Sequence, residues 1–74
     1  MGGRVDQPVE CYSGGEYAER PAVVIWEGQR CEVMEIEARW RAPDGKFFRV
    51  RVKDGLRFEL FYNEALDVWQ VSLI

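Results

Sequence analysis

The residues of this 74-residue chain best suited to chemistry are its arginines and two of its phenylalanines, and that chemistry is recognition rather than catalysis. Arg39, Arg49, Arg51 and Arg57 recur at odd positions beside Phe47 and Phe61. On a sheet face, arginines can hold phosphates while aromatic rings stack bases. Glu35, Glu37 and Glu59 follow the same alternation and would pair with the arginines, neutralising the face from within. Two readings of this face stand side by side: a solvated, salt-laced sheet surface, and a platform for an anionic partner.

Catalysis has poorer material. There is no histidine, which removes Ser-His and Cys-His pairs and every imidazole metal ligand. Cys11 and Cys31 are the only thiols, too few for a structural zinc site, and are expected to be free. Glu32, Glu35 and Glu37 have the spacing of a wet strand edge rather than of a metal cluster. Gly14-Gly15 is followed by no Lys-Ser/Thr pair, so it is not a phosphate loop. No catalytic residue, metal site or cofactor is expected, and the chain is read as a non-enzyme.

The elements that position these residues follow from a period of two. Ile36, Ala38 and Trp40 alternate with polar residues, and so do Phe48, Val50 and Val52, and then Leu56, Phe58 and Leu60. Such runs make strands with one dry and one wet face. Cys31 to Arg41 also has helical composition, but the alternation from Met34 onward and the hairpin that follows favour a strand. Cys31 and Val33 are out of phase with Ile36, which predicts a β-bulge near Met34 and Glu35. Ala22 to Trp26 is a β-branched and aromatic strand, and Val9 to Tyr12 a short first one.

Turn chemistry then sets the register. A three-residue loop at Lys53-Asp54-Gly55 pairs Val52 with Leu56, Val50 with Phe58 and Phe48 with Leu60, so that all six face inward. The same loop at Pro43-Asp44-Gly45 pairs Trp40 with Phe48, Ala38 with Val50 and Ile36 with Val52. Both loops require their glycine at positive φ. A four-residue loop, Asn63 to Leu66, sets Leu60 against Trp69. The wet-face rows are then Glu37-Arg51-Arg57, Arg39-Arg49-Glu59 and Arg41-Phe47-Phe61, with Glu35 opposite Lys53. Arg39 opposite Arg49, and Arg51 opposite Arg57, are like-charge pairs that cost stability and point toward an anion. Phe47, Phe61 and Val68 form an apolar patch, either covered by the segment from Tyr12 to Arg20 or open to a partner. Trp26, Trp40 and Trp69 are expected in the core.

The fold expected is all-β: a five- to six-stranded antiparallel meander, as a curled sheet or a small SH3-like barrel. Residues 1–7 are expected to be a disordered N-terminus and residues 8–74 a single β domain. The last strand, Val68 to Ile74, carries one acidic neighbour but no charge of its own and should be covered, most simply by the N-terminal strand. No apolar run approaches the ~20 residues that span a bilayer. The N-terminus lacks the apolar core of a signal peptide, so a cytoplasmic location is expected. The net charge of −3 disfavours a generic nucleic-acid coat.

Pro21 to Gly28 (PAVVIWEG), Val33 to Arg41 ending in Arg-Trp-Arg, Phe48-Arg49-Val50-Arg51 and Trp69-Gln70-Val71 resemble a family of small uncharacterised bacterial domains. Members occur alone or appended to Y-family DNA-polymerase-like repair proteins. The resemblance spans residues 9–74 and implies a β domain in the neighbourhood of DNA repair, with no catalytic residues to carry over. Together these readings give a noncatalytic interaction module whose partner is another protein or a second copy of the chain. The alternative is an accessory domain for single-stranded nucleic acid, with phosphate contacts from the four arginines and stacking on Phe47 and Phe61. No membrane partner is expected.

Overall fold

A computed structural model describes residues 5–6, 9–11 and 20–74. The Ser13-Gly14-Gly15 turn signal, Tyr12 and the stretch up to residue 19 lie outside the described residues. Seven antiparallel strands form one curled sheet: β1 (Val5–Asp6), β2 (Val9–Cys11), β3 (Pro21–Trp26), β4 (Gln29–Ala42), β5 (Gly45–Val52), β6 (Arg57–Asn63) and β7 (Val68–Leu73). Their spatial order is β1-β7-β6-β5-β4-β3-β2. The all-β fold and its meander follow the sequence pattern. No helix among the described residues is long and apolar enough to cross a membrane.

The N-terminal segment borders both ends of this order. Val5 and Asp6 pair with Val71 and Gln70 of β7, while Val9 and Glu10 pair with Val24 and Val23 of β3. Asp6 and Val9 are three peptide steps apart, a reach of at most about 11 Å. The sheet is therefore curled until its two ends nearly meet. Val5–Asp6 is a strand within the segment expected to be disordered, and it covers β7 as an uncharged edge requires.

The hairpin of β5 and β6 has the expected register. Phe48 faces Leu60 and Val50 faces Phe58, and the Gly55 N–H donates to the Val52 carbonyl at 2.9 Å. Gly55 sits at φ 89°, as its loop requires. The β6–β7 pairing is displaced by two residues, with Leu60 facing Val71 and Tyr62 facing Trp69, so each side chain keeps its face. The dry side is a continuous core. Val24, Val50, Val52, Phe58, Leu60 and Val71 are fully buried, and Phe48 and Trp69 nearly so. Trp26 packs its ring 5.2 Å from that of Phe58, bringing β3 onto β6 across the curled sheet.

The hairpin of β4 and β5 differs from expectation. Its loop has two residues, Pro43-Asp44, and Ala42 faces Gly45. Gly45 is not at positive φ. A Cβ there would lie 1.8 Å from the Tyr62 carbonyl oxygen and 3.2 Å from the Phe61 ring. Glycine serves here for close approach between β5 and β6, which keeps it in the strand and shortens the loop by one residue. Trp40 consequently faces Phe47 instead of Phe48, and it is 40% exposed rather than part of the core. The expected bulge at Met34 is present, between Val33 and Glu35, and a second lies between Ile36 and Ala38. The second bulge restores the phase, so Ile36 faces Val50 and stays against the core.

The cysteines belong to β2 and β4, with β3 between them. Two strand spacings of about 4.8 Å exceed the ~7 Å limit for a disulfide, so the two cysteines are not bridged to each other. Cys31 is buried, and burial first, then the charge of Asp54, pushes its thiol above the ordinary value.

Three measurements check this account. Phe58→Ala removes a fully buried ring and should cost about 3–5 kcal/mol, enough to unfold a domain this small, as read by thermal denaturation. Gly45→Ala should lower the melting temperature more than Gly55→Ala, because the first meets a backbone carbonyl and the second open space. At mildly alkaline pH, Cys31 should alkylate slowly in the folded protein and rapidly in denaturant, since the thiolate is the nucleophile and burial disfavours it.

Candidate functional site: an aromatic corner on β4 and β5

The outer face of β4 to β7 is built in rows by the observed register. Trp40, Phe47, Phe61 and Gln70 make one row, Ala38, Arg49, Glu59 and Ser72 the next, and Glu35, Arg51 and Arg57 a third. The Trp40 and Phe47 rings are stacked, 5.2 Å apart and 5° from parallel, and Phe47 meets Phe61 at 4.6 Å. Phe61 is only 6% exposed, with its ring against Gly45, and Phe47 and Val68 are half-buried. Of the two states open to the Phe47–Phe61–Val68 patch, covered or exposed, the structure has it largely covered. The exposed ring is Trp40, which sequence reasoning placed in the core through the length of one loop.

The arginines resolve into ion pairs. Arg51 donates to Glu35 at 2.9 Å and Arg57 to Glu37 at 2.8 Å, so the Arg51–Arg57 like-charge pair carries a carboxylate on each member. Arg49 lies 3.6 Å from Glu59, with its guanidinium carbon 5.8 Å from the Trp40 ring centre. At the hairpin end, Arg41 donates to Glu64 at 3.0 Å, and the Glu64 N–H donates to the Asp44 carbonyl, tying two turns together. Each such exposed pair is worth about 0–1 kcal/mol, but together they cancel most of the positive charge of the face.

The expected Arg39–Arg49 pair does not exist. Ala38 faces Arg49, and Arg39 faces Phe48 from the other side of the strand. The arginine–phenylalanine platform therefore has only part of its expected membership. Arg49, Arg51 and Arg57 share the outer face with Phe47 and Phe61, while Arg39 leaves it. Among the described residues Arg39 is exposed and makes no ion pair.

Two concavities border Arg39. One, about 540 Å³, opens where β3 and β4 diverge and is lined by Arg20, Pro21, Val33, Met34, Glu35, Ile36 and Arg39. The other, about 270 Å³, lies at the hairpin among Arg39, Trp40, Arg41, Lys46, Phe47 and Phe48. The strands diverge because β3 pairs with β4 only from Trp26–Gln29 to Val23–Glu32, whereas Pro21 is taken up by Cys11 on its other edge. Beyond Glu32, no strand among the described residues pairs with that edge of β4. No group of three or more potential metal ligands occurs among the described residues. The corner offers a flat exposed ring, local cations and an open backbone edge, which are means of binding. No protein-family model, curated protein or solved structure matches the chain.

Proposed function

We propose that this chain is a noncatalytic protein–protein interaction module whose contact surface is centred on Trp40. The observation that carries the reading is the stack of Trp40 on Phe47, exposed on one side and backed by buried Phe61 on the other. A tryptophan held flat by a second ring loses little freedom on binding and brings a large apolar area, the usual makeup of an interface anchor. The flanking Arg39, Arg41 and Lys46 supply the polar rim of such a contact.

The ion pairs favour a protein over nucleic acid as the partner. A phosphate-binding face leaves its cations available, whereas Arg49, Arg51 and Arg57 here each face a glutamate across 3.6 Å or less. Link to DNA repair and a role as a single-stranded nucleic-acid accessory domain is therefore the weaker reading, and the experiment separates the two.

An aromatic photo-crosslinking amino acid placed at Trp40, which keeps a ring on Phe47, with Lys53 as the control position, should give a discrete protein adduct in cells only from position 40. In parallel, labelled single-stranded DNA should not bind at ~50 mM salt, where electrostatic association is strongest. A nucleic-acid adduct, or DNA binding that falls steeply with salt and weakens in Arg49→Ala, would replace the protein reading. Equal labelling from both positions would remove Trp40 from the interface.

A further inference from the structure

The edge of β4 that no described strand pairs turns the general reading above into a specific mode of contact. From Val33 to Arg41 the strand is paired to β5 on one side, while on the other no described strand takes up its N–H and C=O groups. This stretch is about 30 Å long at ~3.3 Å per residue. Both concavities lie along it and share Arg39. An extended backbone laid against the edge would satisfy those groups and continue the sheet, the mode by which many domains bind peptides.

The side chains along the edge specify the visitor. At the β3 end, Val33, Met34 and Ile36 form an apolar wall, with Met34 55% exposed at the first bulge. At the hairpin end stand Arg39, Arg41 and Lys46. The carboxylates beside them are already engaged, Glu35 by Arg51 and Glu64 by Arg41. Arg39 sits between the two concavities with no carboxylate of its own among the described residues. The complement to this surface is an extended segment with an apolar side chain for the Met34–Ile36 wall and a carboxylate for Arg39.

A second copy of the chain fits less well, for a reason of phase. Two copies of β4 paired antiparallel about Ala38 would match Glu37 with Arg39 and Glu35 with Arg41, a favourable set of charges. The same register sets Ile36 opposite Trp40. Residues directly opposite in an antiparallel pair share a face. Ile36 lies on the Val50 side of the sheet and Trp40 on the Phe47 side, because the bulge at Glu37 falls between them. The bulge breaks the self-match in this register.

We infer that β4 binds an acidic, extended peptide segment of a partner protein by strand addition along Val33–Arg41, with Arg39 as the carboxylate contact. This rests on the interaction reading above.

The test uses a fluorescein-labelled peptide of about eight residues, glutamates in its N-terminal half and valines in its C-terminal half, so that antiparallel addition sets the glutamates beside Arg39 and the valines beside Ile36. It is titrated against the whole chain and followed by anisotropy. Saturable binding is expected. Replacing its glutamates by lysines, or Arg39→Glu in the protein, should weaken binding at least tenfold, and Arg39→Glu should keep the melting temperature. Two N-methylated peptides, blocking alternate sets of N–H groups, should behave differently: one keeps binding and the other loses it, because an added strand uses one edge only. Absence of binding at ~1 mM peptide would overturn the inference, as would equal behaviour of the two N-methylated peptides or indifference to Arg39→Glu. A monomer–dimer equilibrium of the chain alone, abolished by Arg39→Glu, would replace the peptide with a second copy. If crosslinking at Trp40 succeeds while the peptide fails, strand addition falls and the interaction reading stands; if both fail, both fall.

Discussion

The contact between Gly45 and the Tyr62 carbonyl governs the phase of half the sheet. The two strands approach there more closely than any side chain would allow, so Gly45 is held within β5 and the loop before it closes on two residues. One residue fewer in a loop inverts every side chain of the strand that enters it. Trp40 turns outward as a result, Arg39 leaves the arginine face, and the bulge at Glu37 is then needed to return Ile36 to the core. The exposed corner is the outcome of a backbone contact between Gly45 and a residue more than twenty positions beyond Trp40 in the chain, Tyr62.

The legible and illegible parts of the fold divide along the same line. Lys53-Asp54-Gly55 has a glycine whose only role is its positive φ, so turn chemistry and alternation agree and the β5–β6 register can be read directly. Pro43-Asp44-Gly45 has the same letters, but its glycine is required for a contact with residues 61 and 62, a tertiary fact with no local signature. Alternation could still place Phe48, Phe58, Leu60 and Trp69 in the core, because a two-residue slip at the β6–β7 loop leaves faces unchanged. It could not place Trp40, where a slip of one decides between inside and outside. The first bulge was readable because Cys31 and Val33 broke phase with Ile36. The second was hidden, because it compensates a shift that alternation does not record.

The charged residues teach a related lesson. The arginine and glutamate pattern of β4 to β6 correctly describes a mixed face, but the partners depend on register. Glu35 and Glu37 reach Arg51 and Arg57, and the pairing that would have argued most strongly for an anion, Arg39 with Arg49, is absent. What remains for recognition is a ring, a lone guanidinium and an edge of backbone. None of these would be chosen from composition, where three tryptophans in so small a domain are first read as core.

The position of β1 has a consequence for the order of assembly. Its partner is β7, so Val5 and Asp6 leave the ribosome more than sixty residues before Val71 and Gln70 do. Local hairpins of β3 to β6 can form as they are synthesised, but the curl cannot be fastened until β7 has been made. Contacts this distant along the chain are the slow ones, since the loop must close before the pairing contributes anything. Until then the nascent domain carries a raw margin on β6, and Val5 and Asp6 wait without their partner strand while Val9–Cys11 already pairs with β3. A chaperone acting on this protein would find its opportunity in that interval.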